Sequence, residues 1–180
     1  LYKDLAAYAP TSMLENDNIA NRTLFASGKI AMYLSGIYDA EEIVKMNPDL
    51  NFACAMVPTA NDAERNTILG GWSVAVAGCS EKQEAAWEFV KFLTRPDIAA
   101  MYTNTFTGTG EIAERYADYP EDIIQPNAEA LQYAHALPSV ESIVSIRQAI
   151  MDNLQLMLID DMSAEDACAL LDEEVNGLLK

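Results

Sequence analysis

The sequence predicts an α/β fold that is rich in helix and contains few strands. Three short apolar segments end at glycine or at a turn residue, as buried strands often do; they span residues 30–34, 51–57 and 72–77. Beyond Gly78, apolar residues recur at helical spacing almost to the end of the chain. We therefore expect helices throughout and strands only in the first part.

The first part of the chain is predicted to alternate helix and strand. Residues 18–27 have helical spacing, and Gly28 is placed to end that helix. The strand over 30–34 and a short helix over 39–45 follow. Polar residues 59–67 predict a loop before the third strand.

Helix-start signals divide the second part. Ser80 and Gln83 have the spacing of a capping box for a helix that ends at Leu93, and Pro96 begins the next helix. Further helices are predicted over 120–136, 139–159 and 163–179. The buried stripe of the helix that ends at Leu93 is expected to contain Ala86, Phe89, Val90 and Leu93, and Trp87 is expected to pack beside it.

The charge balance excludes one class of partner. The chain has 28 acidic and 11 basic residues and a net charge of −17. Such a field repels nucleic acid and anionic lipid, and no cluster of lysine and arginine opposes it. No apolar run approaches the ~18 residues of a membrane span. We therefore expect a folded domain with no nucleic-acid partner.

No catalytic, metal or cofactor site is predicted. Neighbouring carboxylates such as Glu41-Glu42 and Asp160-Asp161 point in different directions on a helix, whereas glycoside hydrolysis needs two facing carboxyls about 5–10 Å apart. His135, placed on a helix by its pattern, has no nucleophile signature or second histidine nearby. The cysteines are too scattered for a zinc knuckle or disulfide frame and are expected to be small buried residues: Cys54, Cys79 and Cys168.

A glycine pair before a tryptophan is the most informative local pattern. Gly70 and Gly71 allow the backbone to approach another group closely. Trp72 offers a flat apolar face with one polar N–H, which suits a sugar ring. The alternative is that Trp72 fills core.

Four segments in a fixed order carry a family resemblance. Residues 25–32 have the pattern F-x-x-G-K-x-A-M and run into Gly36 and Tyr38; Val57-Pro58 and then Gly70-Gly71-Trp72-Ser73 follow; residues 86–93 have the pattern A-x-E-F-x-K-F-L. Together these segments resemble the family 1 extracellular solute-binding proteins, the sugar receptors of ABC importers. One departure is the absence of a proline in the loop 107–111, which leaves the conformation of that loop open.

The resemblance implies a two-lobe, periplasmic-binding-protein-like fold of which this chain is the helix-rich C-terminal portion. Residues 1–70 and 118–180 would belong to the C-terminal lobe. Residues 71–117 would be the hinge crossing and a remnant of the N-terminal lobe, most of which would be absent. The helix over 82–93 would then lose its packing surface, so the isolated chain is expected to expose an apolar patch or to self-associate.

The resemblance also implies a function without catalysis. The protein would capture a carbohydrate outside the membrane and close two lobes around it, with the permease subunits of an ABC transporter as partners. It would be a periplasmic protein or a membrane-anchored extracellular lipoprotein. The rival hypothesis is an acidic helical interaction or scaffold domain with no small-molecule ligand, in which Tyr38 and Trp72 would both be buried in core.

The predicted ligand contacts follow the resemblance. Tyr38 would be a stacking platform after the Ser35-Gly36 turn, with an exposed tyrosine at a helix start as the alternative. The remaining predicted contacts are the aromatic and its glycines, short polar groups beside the two rings, and one carboxylate near a later helix start: Trp72, Gly70, Gly71, Ser35, Asp39, Ser73 and Glu141.

Overall fold

The computed structural model describes residues 1–59, 64–107 and 114–180. These residues form two compact units, one of residues 18–137 and one that combines 1–17 with 138–180. Residues 60–63 of the predicted loop over 59–67 and residues 108–111 of the later loop lie outside the described residues.

The described residues are helix-rich with few strands, which confirms the predicted fold class. The helices are α1 (Tyr2–Ala6), α2 (Asn18–Ala26), α3 (Tyr38–Met46), α4 (Gln83–Leu93), α5 (Pro96–Tyr102), α6 (Glu121–Ala130), α7 (Ile143–Ile159) and α8 (Ala164–Leu178). The strands are β1 (Thr67–Leu69) and β2 (Ala134–Ala136), and single 3₁₀ turns span Glu114–Tyr116 and Leu131–Tyr133.

The end of α2 shows how local sequence sets an element. Gly28 has a φ of 71°, which glycine adopts without steric cost. The N–H of Lys29 donates to the carbonyl of Leu24 at 2.8 Å, and the N–H of Gly28 donates to that of Phe25 at 2.9 Å. This is the Schellman pattern, and it confirms that Gly28 ends the helix.

The three predicted strands are wrong. None of the segments 30–34, 51–57 and 72–77 is a strand. The one ladder among the described residues joins β1 to β2 in parallel, with Ile68 opposite His135. A strand needs a ladder of hydrogen bonds to a neighbouring strand as well as an apolar sequence. Segment 51–57 has a backbone bond to α6, from the N–H of Cys54 to the carbonyl of Asp122 at 3.0 Å, but none of the three segments forms a ladder with another described segment.

Pairing with β1 also changes the end of α6. The predicted helix over 120–136 ends at Ala130, and His135 lies in β2 rather than on a helix. Pro126 lies inside α6 and removes one backbone donor from it. The helix predicted over 139–159 begins only at Ile143.

Two predicted capping boxes have different outcomes. In α8 the Ser163 hydroxyl accepts a hydrogen bond from the N–H of Asp166 at 3.1 Å, which confirms that box. In α4 the N-cap is Lys82, and its N–H donates to Ser80 Oγ at 3.1 Å. Ser80 therefore stabilises the turn before α4 and does not cap it.

The core of the 18–137 unit surrounds the start of α3. Ile37, Ala40, Tyr116 and Ile123 are buried together, with Phe52 and Cys54 packed against them. The Tyr116 hydroxyl lies 3.1 Å from the carbonyl of Ile37 and 2.9 Å from that of Asn104. Burial raises the pKa of Tyr116 to about 12. The hydroxyl is therefore a donor at neutral pH, and it joins α3 to the segment after α5.

The other unit is built on α7 and α8. Asn153 of α7 is buried, and its Nδ2 donates to the carbonyl of Ala149 at 2.9 Å and to Glu174 of α8 at 3.2 Å. Lys3 of α1 pairs with Asp161, between α7 and α8, at 2.5 Å. No helix in the described ranges is long and apolar enough to cross a membrane.

Helix α4 leaves three large aromatic side chains exposed. Val90 is buried and Ala86 and Leu93 are half-buried, whereas Phe89 is exposed, so its place in the buried stripe was predicted wrongly. Trp87 and Phe92 are exposed as well, so the predicted packing of Trp87 is wrong in this chain. Exposed apolar side chains are therefore present on α4, and whether they form one patch stays a prediction.

Only one cysteine is partly buried. Cys54 lies against the core, and burial raises the pKa of its thiol. Cys79 and Cys168 are exposed, contrary to the prediction that each cysteine is buried. Both lie outside the apolar cluster around α3. Amino-acid composition does not show which of the three cysteines is buried.

Candidate functional site

The turn before α3 presents Tyr38. Tyr38 is the first residue of α3, and its side chain is 41% exposed. The ring lies over Gly36, where an added Cβ would be 2.6 Å from Tyr38 Cε1 and 3.0 Å from Cδ1. A side chain at position 36 would displace the ring, so glycine is required here by a close approach. The ring is held against the turn with part of its surface open.

Asp39 lies beneath this turn and is 1% exposed. Its Oδ1 accepts a hydrogen bond from Arg22 Nη1 at 2.6 Å. Its Oδ2 accepts from the Tyr33 hydroxyl at 3.0 Å and from Ser35 Oγ at 2.5 Å. We call Arg22, Tyr33, Ser35 and Asp39 the Asp39 network.

The electrostatics of the network match its geometry. The hydrogen bond to Asp39 raises the pKa of Arg22, and burial together with Asp39 raises the pKa of Tyr33. Both groups therefore remain donors to the carboxylate at neutral pH. Ser35 and Asp39, predicted to contact a ligand, are bonded to one another here, and direct contact with a ligand stays a prediction for both.

Trp72 lies in a second segment, which begins directly after β1 with Gly70 and Gly71. Its side chain is fully exposed, at 105% relative accessibility. Nothing lies within 4 Å of a Cβ built on Gly70 or Gly71, and Ser73 is exposed. Among the described residues, neither Trp72 nor Tyr38 takes part in a ring pair. The core-filling interpretation of Trp72 is therefore wrong for this chain.

The strand pair places the glycine segment at a defined edge. Because β1 and β2 are parallel, their carboxyl ends lie at the same edge, followed by Gly70 and by Leu137 respectively. In α/β sheets, ligands bind outside the carboxyl ends of the strands. Gly70, Gly71, Trp72 and Ser73 thus follow the carboxyl end of β1, and their contact with a ligand stays a prediction.

Glu141 belongs to the other unit. It is exposed and lines a hollow of about 420 Å³. The hollow is formed by residues that precede α7 and by the end of the chain: Val140, Glu141, Ser142, Leu178, Leu179 and Lys180. The role of Glu141 as a ligand contact stays a prediction.

Sequence reasoning missed Arg22 and Tyr33. Arg22 lies four residues before the buried Ala26 on the inner face of α2. A charged residue on an apolar helix face requires a buried partner. That requirement was the available signal, but the sequence does not indicate which carboxylate fulfils it. In the described residues, no three His, Cys, Asp or Glu side chains are grouped to hold a metal ion.

The fold is shared with a solved solute-binding protein. The crystal structure of an ABC transporter solute-binding protein from Thermotoga lettingae TMO, bound with α-D-tagatose, matches 99% of this chain with a TM-score of 0.72 and 22% sequence identity. The match covers 47% of that protein. This likeness shows that the two chains share a fold.

The sequence comparison identifies the family. The model of the bacterial extracellular solute-binding proteins matches residues 1–100, more than half of the chain, and the chain belongs to that family. This confirms the resemblance predicted from the four segments.

Curated relatives are longer than this chain. Proteins named as binding proteins from Brucella abortus (strain 2308) and Brucella suis biovar 1 (strain 1330) are each 24% identical over 144 residues, which are 75% of this chain and 34% of theirs. The chain thus spans about a third of these relatives and about half of the solved protein.

Proposed function

We propose that this chain is the C-terminal portion of the substrate-binding component of an ABC importer, which captures a carbohydrate outside the membrane. The observation that carries the proposal is the pair of open aromatic faces, Tyr38 over Gly36 and Trp72 after Gly71. An exposed ring beside glycine backbone leaves room for the apolar face of a sugar. Family membership and the tagatose-bound structural relative support the same ligand class.

Binding rather than chemistry is the proposed activity. Trp72 and Tyr38 would stack on sugar faces, and Ser73 would bond sugar hydroxyls, while Gly70 and Gly71 leave the approach open. Ser35 completes the proposed contacts of the 18–137 unit, with Asp39 buried beneath it, and a contact by Glu141 of the other unit stays a separate prediction. None of these residues would form or break a covalent bond, so the protein would not be an enzyme.

The proposal extends to architecture and partners. Residues 1–70 and 118–180 would form the C-terminal lobe, and residues 71–117 would cross the hinge. Closure of two lobes on the sugar would create the form that the permease subunits recognise. The protein would act in the periplasm or at the outer surface of the cell, where a lipid anchor would hold it.

Calorimetry on the full-length receptor tests the ligand class. Monosaccharides and oligosaccharides would be titrated together with peptides, polyamines and metal ions. Saturable heat from a saccharide is the expected result. Binding of only a non-sugar ligand would show that the carbohydrate assignment is wrong.

Trp72 has a matched control in Trp87, the second of two tryptophans, which is also exposed but lies on α4. Trp72→Ala is expected to weaken sugar binding by about tenfold or more, because a stacking surface is lost. Trp87→Ala should leave the affinity unchanged. Equal affinities for the two alanine variants would remove Trp72 from the site.

A further inference from the structure

The Asp39 network joins three parts of the chain below the proposed platform. Arg22 comes from α2, Tyr33 and Ser35 from the segment after it, and Asp39 from the first turn of α3. All three donors converge on the two oxygens of one carboxylate. Removing any of them would leave part of a buried charge without compensation.

The network encloses the backbone of Tyr38. Ser35 and Asp39 are bonded through their side chains, at 2.5 Å, from either side of the turn that contains Tyr38. The N–H of Asp39 also donates to the carbonyl of Gly36 at 3.1 Å. The Tyr38 ring is seated on that same Gly36. The position of the ring is thus set by the residues that Asp39 holds.

We infer that Arg22 and Tyr33 are positioning residues for the sugar site, which act through Asp39 to hold the ring of Tyr38. This inference rests on the proposed function. It assigns Asp39 a supporting role: the carboxylate is 1% exposed and both its oxygens accept hydrogen bonds from the protein. Neither Arg22 nor Tyr33 was among the predicted contacts.

Affinity measured in two backgrounds tests this role in the full-length receptor. In the unaltered background, Arg22→Gln and Asp39→Asn should each weaken the affinity for the best-binding saccharide by about tenfold, the effect of one charge-assisted hydrogen bond. In a Tyr38→Ala background the same substitutions should cost less than about twofold, since the ring that they position is gone.

The result separates positioning from the alternatives. A full tenfold loss that persists in the Tyr38→Ala background would show direct ligand contact and overturn the inference. A lower melting temperature with unchanged affinity would show that the network is only structural, which also overturns it. Tyr33→Phe removes one hydroxyl and provides the same comparison if the charge variants do not fold.

The experiment also includes a matched control variant, and its outcomes separate failure of the proposed function from failure of the positioning inference. Glu42→Gln, on the same helix and outside the network, should leave affinity unchanged in both backgrounds. If the unaltered receptor binds no saccharide, the proposed function fails. If it binds a saccharide and the two backgrounds respond alike, only the positioning inference fails.

Discussion

At the scale of single residues, Asp39 is the most constrained group of the site. Its carboxylate is buried, and its partners are Arg22, Tyr33 and Ser35. A buried charge of this kind is tolerated because charged and hydroxyl donors replace the water that it loses. In the inferred arrangement the residue would support the site although its oxygens face the protein.

Asp39→Ala is expected to lower the free energy of unfolding by about 3 kcal/mol, because Arg22 would lose its buried partner. Urea denaturation at neutral pH measures the change. The control is Asp49→Ala, at an exposed position, with an expected effect below about 0.5 kcal/mol. Similar losses in both variants would contradict the stabilising role of the network.

Trp72 is the opposite case to Asp39, because its side chain is exposed and not buried. A fully exposed indole is an apolar surface that this chain leaves uncovered. Tyr38 is less extreme, since the turn at Gly36 covers part of its ring. In the proposed site, Tyr38 would therefore be a partly supported stacking surface and Trp72 an unsupported one.

At the scale of elements, glycine acts in two opposite ways. Gly28 ends α2 with a φ of 71°, whereas Gly177 lies inside α8. Neither would bring a new Cβ within 4 Å of another group. Substitution by alanine at either position therefore changes the free energy of unfolding through backbone conformation and not through a clash.

Gly28→Ala should destabilise the protein by about 1–2 kcal/mol, because alanine is strained in the left-handed region. Gly177→Ala should stabilise it by about 0.5–1 kcal/mol through helix propensity. Chemical denaturation of both variants measures whether each substitution lowers or raises the free energy of unfolding. A stabilised Gly28→Ala would show that the Schellman turn does not define the end of α2.

An ion-pair cluster ties α3 to the 3₁₀ turn at Glu114–Tyr116. Glu41 accepts from Lys45 at 2.8 Å and from Arg115 at 2.7 Å, and Arg115 also donates to the carbonyl of Tyr102 at 3.2 Å. The hydrogen bonds to Lys45 and Arg115 lower the pKa of Glu41 below its ordinary 4.5. The unfolded chain therefore takes up this proton before the folded one does.

The stabilisation from Glu41 is present above pH 4.5 and is lost as the pH falls through the lower pKa of the folded state. Glu41→Gln should thus be less stable than the unaltered protein at neutral pH, and the difference should shrink on acidification. Urea midpoints from pH 7 down to about pH 3 follow it. The control is Glu84→Gln on α4, which has no ion pair within the described residues. A difference that is independent of pH would exclude the linkage.

At the scale of the whole molecule, the exposed aromatic side chains of α4 fit the observation that the relatives are longer than this chain. The chain spans 47% of its solved relative, and Trp87, Phe89 and Phe92 are uncovered on α4. An apolar surface of this kind favours association. The proposed N-terminal lobe would cover it in the complete receptor.

The 180-residue chain by itself should self-associate in a concentration-dependent way. Phe89→Ser should weaken that association because it replaces an exposed ring on α4. Sedimentation velocity over a range of concentrations measures it, with the exposed Glu84→Ser on the same helix as control. A monomer at all concentrations, or equal association of both variants, would contradict this role for α4.

The family and most of the helices were readable from the sequence, because their signals are local. The Gly28 turn, Pro96 and the Ser163 cap each act within a few residues of where they stand. The four family segments likewise required only order and spacing. Tyr38 and Trp72 were recognised as candidates in this way.

Only the tertiary structure decided the strands and the surroundings of the site. Thr67 pairs with Ala134, and Asp39 is compensated by Arg22 from another helix. Ladder hydrogen bonds and buried charges depend on groups that are distant along the chain. An apolar run predicts a strand only where such a neighbour exists, which is why residues 30–34, 51–57 and 72–77 were predicted wrongly.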